Sequence, residues 1–246
     1  MKNKIKLFIK KVYFLFLYGN RANSTRFIRY LTNKGIKVGA GTVFYSPQTI
    51  SVDTLNPHLV EIGSHCQITS GVRILTHDYS WSVIKKLTGE ILGNQKRVQI
   101  GNNCFIGVNT IILCGTTIGD NVIIGAGSVC SGLLESNSVY TGNPVRKIMS
   151  VSEFIEKRKQ HQIDEAVDIY RQYYNTFNEK PSQDVFHEYF MLFSSVADVK
   201  EGAFNRKMHL MDNYDESIRF LAQNNRIFDN YDEFCKYAEQ TIMARK

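Results

Sequence analysis

The sequence predicts a mainly β chain: a triangular coil of short parallel strands, preceded by a helical segment and followed by a helical appendage. Three observations carry this. Aliphatic residues recur every six positions through the middle of the chain. Small residues recur four places after each of them. Glycine is frequent up to about residue 149 and nearly vanishes from 150 to 246, where helix formers dominate.

Residues 1–37 place apolar side chains at helical spacing, with Gly35 as the stop. The stretch MKNKIKLFIKKVYFLFLYGN is basic and then apolar, and Val12 to Tyr18 is an unbroken apolar run. That run is too short to span a bilayer, which takes about 20 residues. No small-residue cleavage site follows it. Two readings stand for residues 1–18: an amphipathic helix packed on the domain, or a helix lying on an anionic membrane surface with Lys2, Lys4, Lys6, Lys10 and Lys11 near the headgroups.

Residues 38–149 carry the repeat. From Ile100 six hexads run without a gap: IGNNCF, IGVNTI, ILCGTT, IGDNVI, IGAGSV and CSGLLE. An earlier set, IGSHCQ, ITSGVR and ILTHDY, starts at Ile62, Ile68 and Ile74, and an imperfect one, VGAGTV and FYSPQT, at Val38. Period six is neither helix nor ordinary strand; it describes a chain that turns a corner every six residues, so that three faces close a coil and coils stack as parallel strands. The first position points inward. The fifth points inward near the corner and is usually small: Cys104, Thr110, Thr116, Val122 and Ser128, and then Leu134. Glycine in the second position suits a corner where a Cβ would crowd or φ is positive. The hexad ILTHDY leads out of the pattern into an excursion, residues 80–99, that projects from a corner and can wall a pocket.

Residues 150–246 open on a capping-box spacing, Ser150 to Glu153, before a helix ended near Pro181. Val185 to Phe193 reads as a second helix. NYDESIRFL and NYDEFCKYA echo each other, each with an Asn or Asp placed to cap a helix.

The 246 residues carry 43% hydrophobic and 22% charged side chains, the balance of a globular chain. The net charge of +7 and a pI near 9.1 favour an anionic partner such as a phosphate-bearing cofactor, an activated substrate or a membrane surface. Five cysteines without a CxxC pair argue against a disulfide framework or zinc site and for reduced thiols in a cytoplasmic setting. Cys66 and Cys104 fall in inward slots and read as core.

The run IGNNCFIGVNTIILCGTTIGDNVIIGAGSV, closed by SVYTGNPVRKI, resembles the hexapeptide-repeat acyltransferases, among them the galactoside, maltose, serine and xenobiotic acetyltransferases. HLVEIGSHCQITSGVRILTHDYSW looks more like the O-acetyltransferases of capsular and surface polysaccharide synthesis. The resemblance covers about residues 38–150. It implies a left-handed parallel β-helix, a handedness the period does not itself show. It also implies an acetyl-CoA-dependent O-acetyltransferase acting on a sugar hydroxyl, a homotrimer with its sites between subunits, and no metal. No nucleic-acid partner is expected, and the setting is cytoplasmic, peripheral at the inner face of the membrane if residues 1–18 touch it.

A sugar hydroxyl needs a base to take its proton as the new C–O bond forms, and neutral imidazole suits neutral pH. In the family a His placed like His77 is that base. Asp78 sits in an inward-type slot, so either the hexad has already broken there or Asp78 orients the imidazole. Tyr79 and Trp81 are candidates to stack on a sugar or to anchor the loop. The resemblance places the thioester carbonyl at the Val108 N–H, after Phe105-Ile106-Gly107, where Phe replaces the family's Trp, and runs pantetheine past Ala126; next to that slot some relatives have Thr-Lys, where this chain has Ser131-Gly132 and so lacks a phosphate-binding lysine. Arg146 and Lys147 remain for the CoA phosphates. Competing readings are an amine acceptor on an amino sugar, a non-catalytic assembly scaffold, and a γ-type carbonic anhydrase. The last is set aside because His58, His65 and His77 are followed by no histidine before His161.

Overall fold

The computed structural model describes residues 13–223 and 226–244. The chain forms two compact units, Met1–Phe154 and Ile155–Lys246. In the first, helix α1 (Ser24–Lys34) is capped by the Asn23 side chain, which accepts from the Arg26 N–H, and ends on Gly35 at φ 104°. Its Phe27 and Leu31 are buried against the coil that follows.

Three sheets make the walls of that coil. The first stacks Lys37–Val38, Val60–Ile62, Val98–Ile100, Thr117–Ile118 and Leu133–Leu134, all parallel. The second stacks Val43–Phe44, Gln67–Ile68, Phe105–Ile106, Ile123–Ile124 and Ser138–Thr141, with Arg146–Ser150 added antiparallel at its end. The third stacks Ser51–Val52, Arg73–Ile74, Ile111–Ile112 and Val129–Cys130. Successive strands move from first wall to second to third, so the chain completes one coil for every three strands. First-position residues align in columns, as in Ile62, Ile100 and Ile118, each no more than 2% exposed. Burying each such side chain contributes about 1.5–3 kcal/mol. The fifth-position residues Cys66, Cys104, Thr110, Thr116, Val122 and Ser128 are buried as expected. The Thr110 hydroxyl donates to the Gly107 carbonyl at 2.7 Å, which lets a polar side chain occupy the core.

The corners separate two demands that the sequence leaves joined. Positive φ falls on the fourth position, at Asn103, Asn109 and Asn121 and at Gly115 and Gly127. Asparagine tolerates that conformation, and Asn103, Asn121 and Asn137 hydrogen-bond in a ladder at 2.8 Å per step. Second-position glycines answer crowding instead: a Cβ on Gly101 would lie 2.7 Å from the Gly119 carbonyl carbon and oxygen.

Two hexads depart from expectation. The last coil is shortened: Leu134 pairs with Ile118, 16 residues earlier, where Ile118 pairs with Ile100, 18 residues earlier. Gly132 at φ 73° tightens the turn, and Leu134 therefore fills a first-position slot rather than a fifth. In ILTHDY the excursion leaves before the inward fifth slot. That slot is filled after the excursion by Val98, fully buried and paired with Val60, so Asp78 is not a core residue.

Residues 13–18 are helical, with Tyr13, Phe16 and Leu17 exposed. The membrane contact expected of residues 1–18 lies, for residues 1–12, outside the described residues. Among the described residues no helix is long and apolar enough to cross a membrane.

Helix α3 (Val151–Phe177), whose residues from Ile155 on belong to the second unit, starts on the expected capping box: the Ser150 N–H donates to Glu153 Oε2 at 2.7 Å and the Glu153 N–H to Ser150 Oγ at 3.2 Å. The stretch read as a second helix is two 3₁₀ turns, Gln183–Phe186 and Phe190–Leu192. Their Phe186, with Phe193 and Phe234, fills an aromatic core in which the Phe186 and Phe234 rings meet edge to face at 5.0 Å. Packing of these large rings overrides helical continuity. Helices α4 (Gly202–Met208), α5 (Tyr214–Ala222) and α6 (Tyr231–Ala244) complete the unit. Asn230 caps α6 through the Glu233 N–H, whereas Asn213 makes no side-chain cap on α5.

Gly101→Ala should lower stability by about 1–3 kcal/mol through overpacking. Gly93→Ala, where an added Cβ meets nothing within 4 Å, should leave it nearly unchanged. Equilibrium denaturation of the two variants compares them, and equal stability would contradict the crowding account.

Candidate active site

His77 stands where the third wall turns toward the first. Its neighbours beyond are the excursion: His77–Asp78 pairs antiparallel with Asn94–Gln95, and helix α2 within the excursion (Trp81–Thr88) ends on Gly89 at φ 84°. The pairing fixes the His77 backbone in an extended conformation, unlike His65, which holds the same hexad position at φ 56°.

The carboxylate on the imidazole is Asp53, one coil earlier. His77 Nδ1 lies 2.7 Å from Asp53 Oδ2, and the two side chains are 23% and 6% exposed. Asp53 also accepts from the Thr76 hydroxyl and, at 2.9 Å, from the Leu55 N–H. Burial raises the Asp53 pKa, but the bonds from Thr76, Leu55 and His77 outweigh it and hold the carboxyl below its ordinary range. An ionised Asp53 keeps the proton on Nδ1, which leaves Nε2 as the acceptor. Asp78 turns elsewhere. It accepts from the Ser80 N–H at 2.9 Å, the Ser80 hydroxyl at 2.6 Å and the Asn94 amide. These bonds, Ser80 first, hold its carboxyl below the usual range. Its contribution is to tie the two ends of the excursion beside His77.

Asp53 is the residue that reading the sequence missed. Its signal is Val52, which pairs with Ile74 and so sets Asp53 directly beneath the turn that carries His77. The six-residue register is broken between Phe44 and Val52 by the 3₁₀ turn Pro47–Thr49, which hides that alignment. Tyr79 meets the imidazole edge on at 5.2 Å and Trp81 at 6.0 Å, an aromatic rim in which Tyr79 is exposed.

The remaining candidates fall on another edge. Gly107 and Val108 follow the second wall and lead to the third, as does Ala126 one coil on. A Cβ on Gly107 would lie 2.6 Å from the Ala126 nitrogen, so these backbones are in direct contact. The Val108 carbonyl accepts from the Gly127 N–H at 2.7 Å, while its own N–H has no backbone partner among the described residues and its side chain is exposed. Arg146 pairs with Thr141 at the next level of the same edge. It is exposed and forms no ion pair among the described residues. Lys147, by contrast, is engaged by Glu135 at 2.8 Å. Ser131 lies between Cys130 and the first-wall strand Leu133–Leu134, on the edge of His77 rather than that of Ala126. A single chain therefore holds the imidazole on one edge and the Val108 donor on a second.

Cys66 and Cys104 donate to the Gly101 and Gly119 carbonyls at 3.1 Å; the neighbouring Cys66 thiol, with burial, pushes the Cys104 thiol up, and burial pushes Cys130 up to about 12. They are core groups. Among the described residues no cluster of three His, Cys, Asp or Glu is arranged to hold a metal ion.

A parallel coil of hexads is the architecture of the hexapeptide-repeat transferases. Residues 97–132 match the family described as bacterial transferase hexapeptide (six repeats). The chain is 43% identical over 123 residues to Protein CapG of Staphylococcus aureus, covering 50% of this chain and 70% of that one. It is 29% identical over 119 residues to the galactoside O-acetyltransferase of Escherichia coli K12, 48% of this chain and 57% of that one. It is 30% identical over 120 residues to the putative lipopolysaccharide biosynthesis O-acetyl transferase WbbJ of the same organism, 45% and 61%. The chain belongs to the bacterial hexapeptide-repeat acyltransferases, and its coil is their left-handed parallel β-helix.

The Asp53 bonds make a prediction about pH. A carboxyl whose folded pKa is depressed adds stability that is present above its unfolded pKa and lost as pH falls through the folded one. Asp53→Asn should be less stable than the parent at pH 7 by about 1–3 kcal/mol, the cost of weakening bonds to a buried acceptor. The gap should narrow steadily in acid. A constant gap from neutral pH to about pH 2 would contradict it.

Proposed function

We propose that the protein transfers an acetyl group from acetyl-CoA to a hydroxyl of a sugar in a surface or capsular polysaccharide or its precursor, with His77 as the general base. The observation that carries the reading is the 2.7 Å contact between His77 Nδ1 and the Asp53 carboxylate at the base of the excursion. It leaves Nε2 free to accept the acceptor's proton, on an edge that faces the aromatic rim of Tyr79 and Trp81. The relatives that act on a galactoside and in lipopolysaccharide synthesis support a sugar hydroxyl as acceptor.

As the hydroxyl oxygen bonds to the thioester carbonyl carbon, His77 takes its proton. The carbonyl oxygen gains negative charge and accepts a hydrogen bond from the Val108 N–H. The C–S bond then breaks, and the proton held on His77 passes to the departing thiolate. Gly107 and Ala126 offer a bare ridge along which pantetheine can lie, and Arg146, one level further, supplies a guanidinium for phosphate. Because His77 and Val108 occupy different edges of one chain, the working site takes His77 from one protomer and Val108 from its neighbour. A homotrimer closes that arrangement around all three edges.

His77→Ala and His77→Asn should lower turnover by about 10²–10⁴-fold, the usual worth of a positioned base, with acetyl-CoA affinity and oligomeric state unchanged. Asn makes hydrogen bonds but cannot take the proton. Steady-state kinetics with a sugar acceptor checks this; near-parental turnover by either variant would make His77 structural.

A further inference from the structure

The charge of this chain is unevenly placed. Residues 1–52 contain ten of its 30 basic residues and none of its 23 acidic ones, Asp53 being the first. The rest of the chain holds 20 bases against 23 acids, so the whole positive excess of +7 comes from the segment before the catalytic edge. Within the described residues, every ion pair uses an acid from Asp53 onward and a base from His77 onward.

Helix α1 concentrates this excess. Phe27 and Leu31 turn into the core, which commits the opposite face to solvent. On it Arg26, Arg29 and Asn33 follow at three- and four-residue intervals, with Tyr30, half-buried against the core, at its border. With Asn20 and Lys34 they line a concavity of about 280 Å³. Arg26, Arg29 and Lys34 are exposed and have no carboxylate partner among the described residues, whereas Arg21 is already used by the Pro47 and Ile50 carbonyls. Lys34 Nζ sits 5.9 Å from the centroid of the Tyr30 ring. Three like charges in one hollow repel one another, and an anion of high charge density relieves the repulsion. Arginine presents forked donors that match phosphate oxygens, and the amides of Asn20 and Asn33 add neutral donors at the rim.

We propose that this face of α1 is a phosphate-binding site, separate from the acyl-transfer edges. Its ligand is a phosphate group carried either on a lipid headgroup at a membrane surface or on a soluble phosphate ester. The exposed Tyr13, Phe16 and Leu17 just before the site offer apolar contact to a lipid surface, while the concave lining serves either source. The inference does not depend on the acceptor of the transfer reaction.

The test uses the full chain and its combined Arg26→Gln, Arg29→Gln, Lys34→Gln variant, which keeps every residue of the acyl-transfer site and the lysines of residues 2–11. Binding is measured at low salt to inorganic pyrophosphate, to phosphatidylglycerol vesicles and to phosphatidylcholine vesicles. The parent should bind pyrophosphate, phosphatidylglycerol or both, and phosphatidylcholine not at all. The variant should bind the same probe about 10²-fold more weakly, three surface cations having been removed. It should retain parental acetyl transfer to a small soluble acceptor. Binding to pyrophosphate points to a soluble ester, and binding to phosphatidylglycerol alone to a headgroup. If the parent binds neither probe, or if the variant loses less than about threefold on the probe the parent binds, the site is overturned. In the latter case the lysines of residues 2–11 carry the attraction.

Discussion

Everything else in the first unit depends on one coil lying on the next in fixed register. The parallel pairs Ser51–Val52 with Arg73–Ile74 and Val60–Ile62 with Val98–Ile100 hold neighbouring coils a strand spacing apart. That spacing lets Asp53, on one coil, reach His77 on the next at 2.7 Å. The proposed role of His77 as a base requires one fixed orientation, and the backbone pairing of the coils, rather than a loop, sets the orientation of its imidazole. The register in turn depends on residues far from the chemistry: aliphatic columns that fill the interior, and corners in which Asn or Gly takes the left-handed turn.

The same coil underlies the proposal that a working site draws on two protomers. A triangular solenoid presents three edges, and a regular repeat offers little room at any of them. The excursion between Thr76 and Lys96 supplies room on the His77 edge, closed at its base by the Lys96 N–H donating to the Thr76 carbonyl at 2.9 Å. The edge carrying Val108, Ala126 and Arg146 stays bare and suits a long thin substrate. In the proposed arrangement, two different edges joined across a subunit boundary would form a pocket without breaking either coil.

The coil was legible because its period is enforced by packing: an inward slot tolerates only aliphatic or small residues, and the chain repeats that demand at Ile100, Ile106, Ile112, Ile118 and Ile124. His77 was legible because it stands where that demand lapses. What the sequence concealed arises where spacing changes. The turn Pro47–Thr49 shifts the count before Asp53, the excursion delays the inward slot from Asp78 to Val98, and Gly132 removes two residues from the last coil. Each is a local change of length that periodicity cannot register, and each moves a residue from one role to another. In the second unit the 3₁₀ turns around Phe186 and Phe190 replace a helix that local pattern favoured, since the aromatic core fixes those rings in space.

The central claim is that His77 and Val108 act together from different protomers. The direct measurement is subunit complementation. His77→Ala chains lack the base, and Val108→Pro chains lack the amide donor; each alone should be inactive. Mixed, dissociated and reassembled, the two should regain a substantial fraction of parental acetyl transfer, because some boundaries pair an intact His77 edge with an intact Val108 edge. If mixtures of two variants that each assemble stay as inactive as their components, both groups belong to one protomer's site, and the shared-edge account is wrong.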